Sequence, residues 1–325
     1  FRRPRRFCDR LQLVQSASEF LAAAARDVGE PVLTLLAERP TRDDGQLGKS
    51  RILQEVARRA VAMGFAPCTF LHTEREDRPK TPANLAWVIA LAIGRARAAF
   101  DATGRPRHLK ALLRVVEGVS ALDTLDPELR EEISWNDGPE DPRSMREALR
   151  RDLQELHNDT GRVPIVMLDD VDTYGADAVK VLCGSLLDAG GFGRITVGGQ
   201  PRRVPVVLCG SATSSETQHD TSATKLKAFS EDEPYQRPLV FGGFPDGPQR
   251  HIVLRQALLE HELQPKPGAE DYVFQAFSAF VGWLPSGLAS DRFGDFLKLA
   301  QDLQSLEPAS DEELLRQAAQ EVNGG

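Results

Sequence analysis

The sequence predicts an α/β fold of three layers, in which a mostly parallel β-sheet lies between helices and a helical region follows at the C-terminus. Short apolar runs alternate along the 325 residues with longer segments of helical periodicity, which is the order that βαβ units produce. At 41% hydrophobic and 27% charged residues, the composition is that of a globular protein able to bury such a core.

The first half of the chain supplies two predicted strands and most of the predicted helices. An amphipathic helix is expected over Leu11 to Arg26, and the apolar run "PVLTLLA" predicts a buried strand over Pro31 to Ala37. The periodicity then predicts a helix, a second strand and three more helices, in that order, at residues 50–64, 66–73, 83–99, 109–130 and 145–157.

The second half supplies the remaining strands. The run "VPIVMLDDVD" predicts a third strand over residues 163–172, and a helix over 177–188 follows it. The run "VPVVLCGSA" predicts a fourth strand over 204–212, a short fifth strand is expected within 237–244, and the pattern is helical from there on. Polar segments predict loops at 134–143 and 213–224. Three cysteines lie in apolar runs and are expected to be small core residues: Cys68, Cys183 and Cys209.

The loop after the first strand has the residues of a phosphate-binding loop. Gly48, Lys49 and Ser50 stand directly at a predicted helix start, and Gly45 offers a second flexible point. Such a loop needs glycines that let backbone N–H groups turn inward, a lysine for the outer phosphates and a hydroxyl for magnesium. The N-terminus of the helix adds unpaired N–H groups and partial positive charge. These residues predict a nucleotide site with Mg²⁺ held at Ser50.

This loop departs from the full pattern G-x-x-x-x-G-K-[ST], because Asp43 occupies the position of the first glycine. Asp43 and Asp44 would place negative charge near the phosphates, which destabilises such a site unless the long loop carries them outward. The residues alone leave three interpretations open: a working nucleotide site, a site that has lost its ligand, and a chance match of three residues.

A pair of carboxylates at the end of the third strand favours the working site. Asp169 and Asp170 follow four apolar residues in "IVMLDD". One carboxylate there can position Mg²⁺ and the second can act as a base toward an attacking water. The alternative is an acidic turn that caps the next helix. Both motifs stand at strand ends, where parallel sheets bind nucleotides, so together they predict a P-loop NTPase fold.

With these motifs the chain resembles the STAND-type ATPases, a branch of the AAA+ P-loop superfamily that serves as a signalling switch in larger proteins. The segment Leu35 to Leu53 resembles the Walker A region, which implies that Arg51 belongs with Gly45, Gly48, Lys49 and Ser50 in the nucleotide site. "IVMLDDVD" resembles Walker B, which implies that Asp169 holds magnesium with Ser50 and that Asp170 is the base.

Three further segments carry the resemblance. "FCDR" resembles the segment that opens these modules near the adenine, which implies that Arg10 lies at the nucleotide. "VVLCGSA" resembles the sensor-1 strand, whose polar end residue, here Ser211, faces the γ-phosphate. "FVGWLPSGLASDRF" resembles the glycine-proline turn of the helical lid and places Pro285 near the base, although two residues separate Gly282 from Pro285 where the family has one.

The resemblance implies an organisation and a function. A P-loop NTPase domain is expected over residues 30–243, after an N-terminal arm and opening helix at 1–29 and before a helical lid and terminal helix at 244–325. The chain would bind ATP or ADP with Mg²⁺ as the switch module of a multidomain signalling or defence protein. Its partners would be effector and sensor domains, fused or associated, with homo-oligomerisation as the output and hydrolysis slow.

Two other functions remain open at this point. The domain could keep the fold without binding nucleotide and serve as an interaction scaffold, which Asp43 favours and the Lys49–Ser50 and Asp169–Asp170 pairs oppose. An AAA+ enzyme acting on nucleic acid is disfavoured by the net charge of −8, since such binding depends on neutralising phosphates.

The widely spaced cysteines fit a reducing cytosol, and the longest apolar run, "LAWVIALAIG", is about half as long as a membrane-spanning helix.

Arginine fingers are the last element that such an ATPase would need. Arg202, Arg203 and Arg292 are candidates, and each is more simply interpreted as a surface residue.

Overall fold

The computed structural model describes residues 11–39, 49–71, 79–108, 141–187, 191–213 and 238–241. A five-stranded sheet in the order β2-β3-β6-β1-β7 forms its centre, and a separate two-stranded hairpin pairs β4 with β5. The strands are β1 (Val32–Arg39), β2 (Phe65–Phe70), β3 (Val163–Leu168), β4 (Arg194–Val197), β5 (Gln200–Arg203), β6 (Val206–Thr213) and β7 (Leu239–Phe241).

Five α-helices accompany the strands within the described residues. They are α1 (Leu11–Ala25), α2 (Lys49–Ala62), α3 (Pro82–Ala99), α4 (Pro142–Thr160) and α5 (Ala176–Val181). A 3₁₀ turn at Val171–Thr173 precedes α5, and a π-helical turn at Leu182–Leu186 follows it. The helix predicted over residues 177–188 is therefore divided, and Gly184, a weak helix former, lies inside the π-helical turn.

The parallel sheet that the sequence predicts is confirmed. β2 pairs with β3, β3 with β6, and β1 with β7, and all three pairs are parallel. β2 and β3 are buried at every residue, as expected for strands that are covered on both faces. Cys68 in β2 and Cys209 in β6 are buried as expected, whereas Cys183 is only partly buried.

Helices cover both faces of the sheet. One face, which includes Val166 and Leu168 of β3, belongs to a hydrophobic core with buried side chains of α3, α4 and α5. The apolar face of α2, formed by residues such as Leu53 and Val56, is buried outside that core. α2 also contacts β2, β3 and β6. Since alternate residues of a strand point to opposite faces, Ile165 lies on the face opposite Val166 and Leu168, and α2 covers that face.

Local sequence explains the ends of α3 and α4. Thr81 forms a capping box with Asn84 at the start of α3, and Pro82 occupies the first turn, where its missing N–H costs nothing. Asp141 caps α4 by accepting a hydrogen bond from the Ser144 N–H. Gly161 ends α4 with φ +65°, and its N–H donates to the His157 carbonyl at 2.7 Å.

The hairpin of β4 and β5 was not predicted. Gly198 and Gly199 form its two-residue turn with φ of +57° and +81°, and a Gly-Gly pair between short strands is a recognised hairpin signal. The hairpin is attached to α4, because the Gln154 side-chain amide donates to the Thr196 carbonyl and accepts from the Thr196 N–H, at 3.1 and 2.6 Å. At this edge of the hairpin, the Gln154 side-chain amide thus makes the two backbone hydrogen bonds that a neighbouring strand would otherwise make.

Arg202 and Arg203 are part-buried and hydrogen-bonded, whereas the sequence suggested that they are surface residues. Arg202 donates to the carbonyls of Ala24 and Ala25, the last residues of α1. Arg203 donates to the carbonyls of Asp27 and Gly29 at 2.7 and 2.8 Å, and its Nε lies 3.3 Å from the Asp27 carboxylate. Both guanidinium groups are therefore occupied in holding the C-terminal end of α1, which explains why they are part-buried.

Replacing Arg203 by alanine should destabilise the protein by about 1–2 kcal/mol, because two carbonyls lose a charged donor and the partly exposed Asp27 carboxylate loses its ion-pair partner. Denaturant unfolding followed by circular dichroism measures this change. Arg150→Ala, at an exposed position of α4, is the control and should stay within about 0.5 kcal/mol of the parent protein. Equal stability of the two variants would contradict this role of Arg203.

The chain divides into two compact units, one of residues 12–38 and 48–241 and one of residues 1–11, 39–47 and 242–325. Nearly all described residues belong to the first unit. Thr213, the first residue of the loop predicted at 213–224, is instead the last residue of β6. The rest of this predicted loop, the helix predicted over 109–130, and the lid and terminal helix lie outside the described residues. The domain boundaries after 29 and 243 stay predictions. In the described part of the chain, none of the helices combines the length and the apolar character needed to cross a membrane.

Candidate functional site

The candidate site lies where three neighbouring strands, β3, β6 and β1, meet the helix that follows β1. Asp169 directly follows β3, Ser211 lies within β6, and Lys49 begins α2. The strand order places β6 between β1 and β3, so residues far apart in the sequence reach the same edge of the sheet. This edge is formed by the carboxyl ends of the strands, where α/β folds bind their ligands.

Lys49 is at the centre of the contacts. Its side chain is only 7% exposed, and Nζ donates to the Ser211 Oγ at 2.8 Å. The same ammonium forms a close ion pair with Asp170 Oδ1 and lies 3.6 Å from Asp172 Oδ1. A buried ammonium requires partners of this kind, because removing a charge from water without compensation is costly.

The turn after β3 directs the carboxylates toward Lys49. Asp170 adopts a left-handed backbone conformation with φ +49°, which aspartate tolerates better than most residues. Its N–H donates to Asp169 Oδ1 at 2.9 Å, and its carbonyl accepts from the Thr173 N–H at 2.8 Å and the Thr173 hydroxyl at 2.7 Å. The chain therefore turns sharply at Asp170 and continues into the 3₁₀ turn that carries Asp172.

Ser50 and Asp169 form the second half of the site. The Ser50 hydroxyl donates to Asp169 Oδ2 at 2.5 Å, and the Asp169 side chain is fully buried. Burial and the neighbouring charge of Asp170 raise the pKa of the Asp169 carboxyl well above its usual value, while the Ser50 hydrogen bond and the Lys49 charge oppose the rise. Asp169 is thus a carboxylate whose charge is poorly compensated by its present partners.

The donor atoms of Ser50 and Asp169 fit magnesium. A hydroxyl and a carboxylate oxygen are the hard ligands that this ion prefers, and Mg²⁺ sites on nucleotides use only one or two protein ligands besides phosphate and water. Across the described ranges, there is no cluster of three or more His, Cys, Asp or Glu side chains that could hold a metal by itself. Two hard protein ligands such as Ser50 and Asp169 suit an ion that phosphate oxygens also coordinate.

The structure brings together five residues that the sequence predicted for the site: Lys49, Ser50, Asp169, Asp170 and Ser211. Arg51 is the next residue of α2, and its side chain lies outside the described part. Gly45, Gly48, Arg10 and Pro285 also lie outside the described residues, as does Asp43. The roles assigned to all of these residues stay predictions.

Asp172 is the site residue that the sequence reasoning missed. It is the third aspartate of the run "DDVD", and the structure places it beside Lys49. The signal that could have found it is its separation of two residues from Asp170, since a tight turn after a strand can bring both carboxylates to the same side.

Comparison with known proteins supports the fold. No protein-family model matches the chain, and no curated protein matches its sequence. Among solved structures, the chain is similar to the ADP form of the Aeropyrum pernix ORC2 protein, with 13% identity and a TM-score of 0.55 over 99% of this chain and 70% of that chain. At this identity the similarity shows the fold alone: an α/β fold with a mostly parallel central sheet and flanking helices, consistent with the P-loop NTPase fold that the sequence predicts.

Proposed function

We propose that this chain binds ATP and ADP with Mg²⁺ and serves as the nucleotide-dependent switch module of a multidomain, STAND-like signalling or defence protein. The observation that carries the proposal is the placement of Lys49, which begins α2 and contacts both Ser211 on β6 and Asp170 after β3. A lysine at a helix N-terminus, between two polar strand ends, is the arrangement that phosphate-binding loops use.

Each residue then has a chemical role at the nucleotide. Lys49 binds the outer phosphates, and Ser211 is within reach of the same ammonium, so it can report whether a γ-phosphate is bound. Ser50 and Asp169 would hold Mg²⁺, whose positive charge favours the ionised form of the buried Asp169. Asp170 carries the base role, and its ion pair with Lys49 is consistent with slow hydrolysis, because a carboxylate paired with a cation is a weak proton acceptor.

The switch function is the part of the proposal that rests on the resemblance to STAND ATPases. Modules of this kind work by nucleotide-dependent order of a lid and do not need fast turnover. The partners would be an effector and a sensor domain, with homo-oligomerisation as the output, in the cytoplasm and without a role for nucleic acid. The Aeropyrum pernix ORC2 structure, to which the chain is similar, is an ADP form, which favours adenine nucleotides as the first ligands to test.

Thermal unfolding with and without Mg-ATP or Mg-ADP tests the proposal directly. A ligand at about 100 times its Kd adds roughly 2.7 kcal/mol to stability, which should raise Tm by roughly 5–10 °C for a unit of this size.

Replacing Ser50 by alanine should weaken nucleotide binding only when Mg²⁺ is present. The affinity in Mg²⁺ should fall about tenfold, or 1.4 kcal/mol, whereas the affinity in EDTA should not change. Titration calorimetry with and without EDTA measures this difference.

Ser16→Ala is the matched control, since Ser16 lies in α1 and outside the proposed site. It should leave the affinity for Mg-ADP and its dependence on Mg²⁺ unchanged. A protein whose Tm responds to neither nucleotide would exclude the switch in its ATP-dependent form. The second candidate, a scaffold that keeps the fold without the ligand, would then be favoured, and Asp43 at the position of the first loop glycine is the feature that supports it.

A further inference from the structure

Asp172 is a buried carboxylate to which the proposed reaction assigns no role. Its side chain is 8% exposed, and Oδ1 lies 3.6 Å from the Lys49 ammonium. The same oxygen is buried and accepts no hydrogen bond from the described residues. A buried carboxylate oxygen in this situation raises the free energy of the folded protein unless a nearby positive charge compensates it, and Lys49 supplies that charge.

The position of Asp172 makes it sensitive to whatever else Lys49 binds. Lys49 is held by Ser211 and also by Asp170 and Asp172, which the turn after β3 brings together. Because these groups are shielded from water, the attraction between Lys49 and Asp172 is weakly screened. A phosphate that contacts Lys49 must weaken this attraction, and it also brings its own negative charge close to Asp172.

We infer that Asp172 is a positioning residue that holds the Lys49 ammonium beside the turn after β3 and thereby lowers the affinity of the site for nucleotide. This inference rests on the proposed nucleotide site and adds a regulatory residue to it. One charge then has two opposite effects: it stabilises the protein without nucleotide, and it opposes phosphate binding. Such a residue reduces the free energy that nucleotide binding releases. The nucleotide-bound and nucleotide-free forms then stay closer in free energy, so that a small change in conditions can shift their populations.

Asp172→Asn tests the inference, because it removes the charge and keeps the size of the side chain. The Kd for Mg-ADP, measured by titration calorimetry, should fall about tenfold. The Tm of the protein without ligand should fall at the same time. Asp177→Asn is the matched control, since Asp177 is an exposed residue in the first turn of α5, and it should leave the Kd unchanged. A merely structural role of Asp172 would weaken binding together with stability, and that result would overturn the inference.

A double-mutant cycle with Lys49→Met gives a readout that does not depend on nucleotide. Asp172→Asn should lower Tm when Lys49 is present and should leave Tm unchanged or raise it in the Lys49→Met background, where the Asp172 charge has lost its cation. An equal decrease of Tm in both backgrounds would show that Asp172 does not act through Lys49. If Asp172→Asn does not yield folded protein, Asp172→Ser, which is smaller and neutral, serves in the same cycle.

The two experiments separate failure of the inference from failure of the proposed function. If the unmodified protein binds no nucleotide, the proposed function fails and the inference fails with it, even where the cycle still reveals coupling between Lys49 and Asp172. If the unmodified protein binds Mg-ADP and Asp172→Asn binds it equally well or more weakly, only the inference fails. Tighter binding together with coupling to Lys49 supports both.

Discussion

Replacing Lys49 by methionine should raise the Kd for Mg-ADP and Mg-ATP at least about 100-fold, or 2.7 kcal/mol. The reason is that phosphates bound in a water-excluded site lose a charged donor, and a charge-assisted hydrogen bond of this kind contributes about 1.5–3 kcal/mol. Methionine keeps much of the apolar length of the lysine side chain, so the change isolates the ammonium. Titration calorimetry well below Tm measures the affinities.

The same substitution should also destabilise the protein by about 3 kcal/mol in the absence of ligand, because it leaves Asp170 and Asp172 without their cation. Lys180→Met is the matched control, since Lys180 is exposed on α5, and it should change neither affinity nor stability measurably. If Lys49→Met bound Mg-ADP as tightly as the unmodified protein, Lys49 would not be a phosphate ligand and the proposed site would be wrong.

Replacing Arg162 by methionine should destabilise the protein by about 3 kcal/mol, which lowers Tm by roughly 6–12 °C. Arg162 is a part-buried guanidinium that donates to three backbone carbonyls: Val61 at 2.9 Å, Phe65 at 2.9 Å and Gly104 at 2.5 Å. It also lies 4.5 Å above the centre of the Phe100 ring, a favourable cation–π distance. This single side chain connects the end of α2, the start of β2 and the 101–107 segment.

Arg162→Lys should lose most of the same stability, because an ammonium cannot reproduce the planar fork that reaches several carbonyls at once. Arg151→Met, at an exposed position of α4, is the control and should stay within about 0.5 kcal/mol of the unmodified protein. Since α2 has 14 residues and spans about 20 Å, Arg162 is remote from Lys49, and the Kd for Mg-ADP should change less than about twofold. A small change in Tm for Arg162→Met would contradict this account.

Sequence periodicity was sufficient for the five strands of the central sheet and for most of the helices of the described unit. Apolar runs such as "PVLTLLA" and "VPIVML" identified the buried strands, because a strand covered on both faces is continuously hydrophobic. Helical spacing identified α2 and α3 within a few residues of the observed ends. The hairpin around Gly198 and Gly199 was missed, since its strands are four residues each and β5 is largely exposed, so no apolar periodicity marks it.

The chemistry of the site was visible in the sequence only as residue types at strand ends. Gly48, Lys49 and Ser50, together with Asp169 and Asp170, predicted phosphate and magnesium chemistry, because a phosphate-binding loop needs those groups at strand ends and at the start of a helix. The carboxylate of Asp172 carried no such local signal. Asp172 reaches Lys49 because the chain turns sharply at Asp170, whose backbone is in the left-handed region. Hydrophobic periodicity does not reveal a turn made by a single residue.

The sequence by itself determined the class of fold, the identity of the five strands of the central sheet and the residue types available at their ends. Only the tertiary structure decided that β6 lies between β1 and β3, that Ser211 therefore meets Lys49, and that Lys49 is shared between Ser211 and two carboxylates. The physical reason is that periodicity reports which side of an element is buried, whereas the order of strands and the partners of a buried charge depend on contacts between segments more than 100 residues apart.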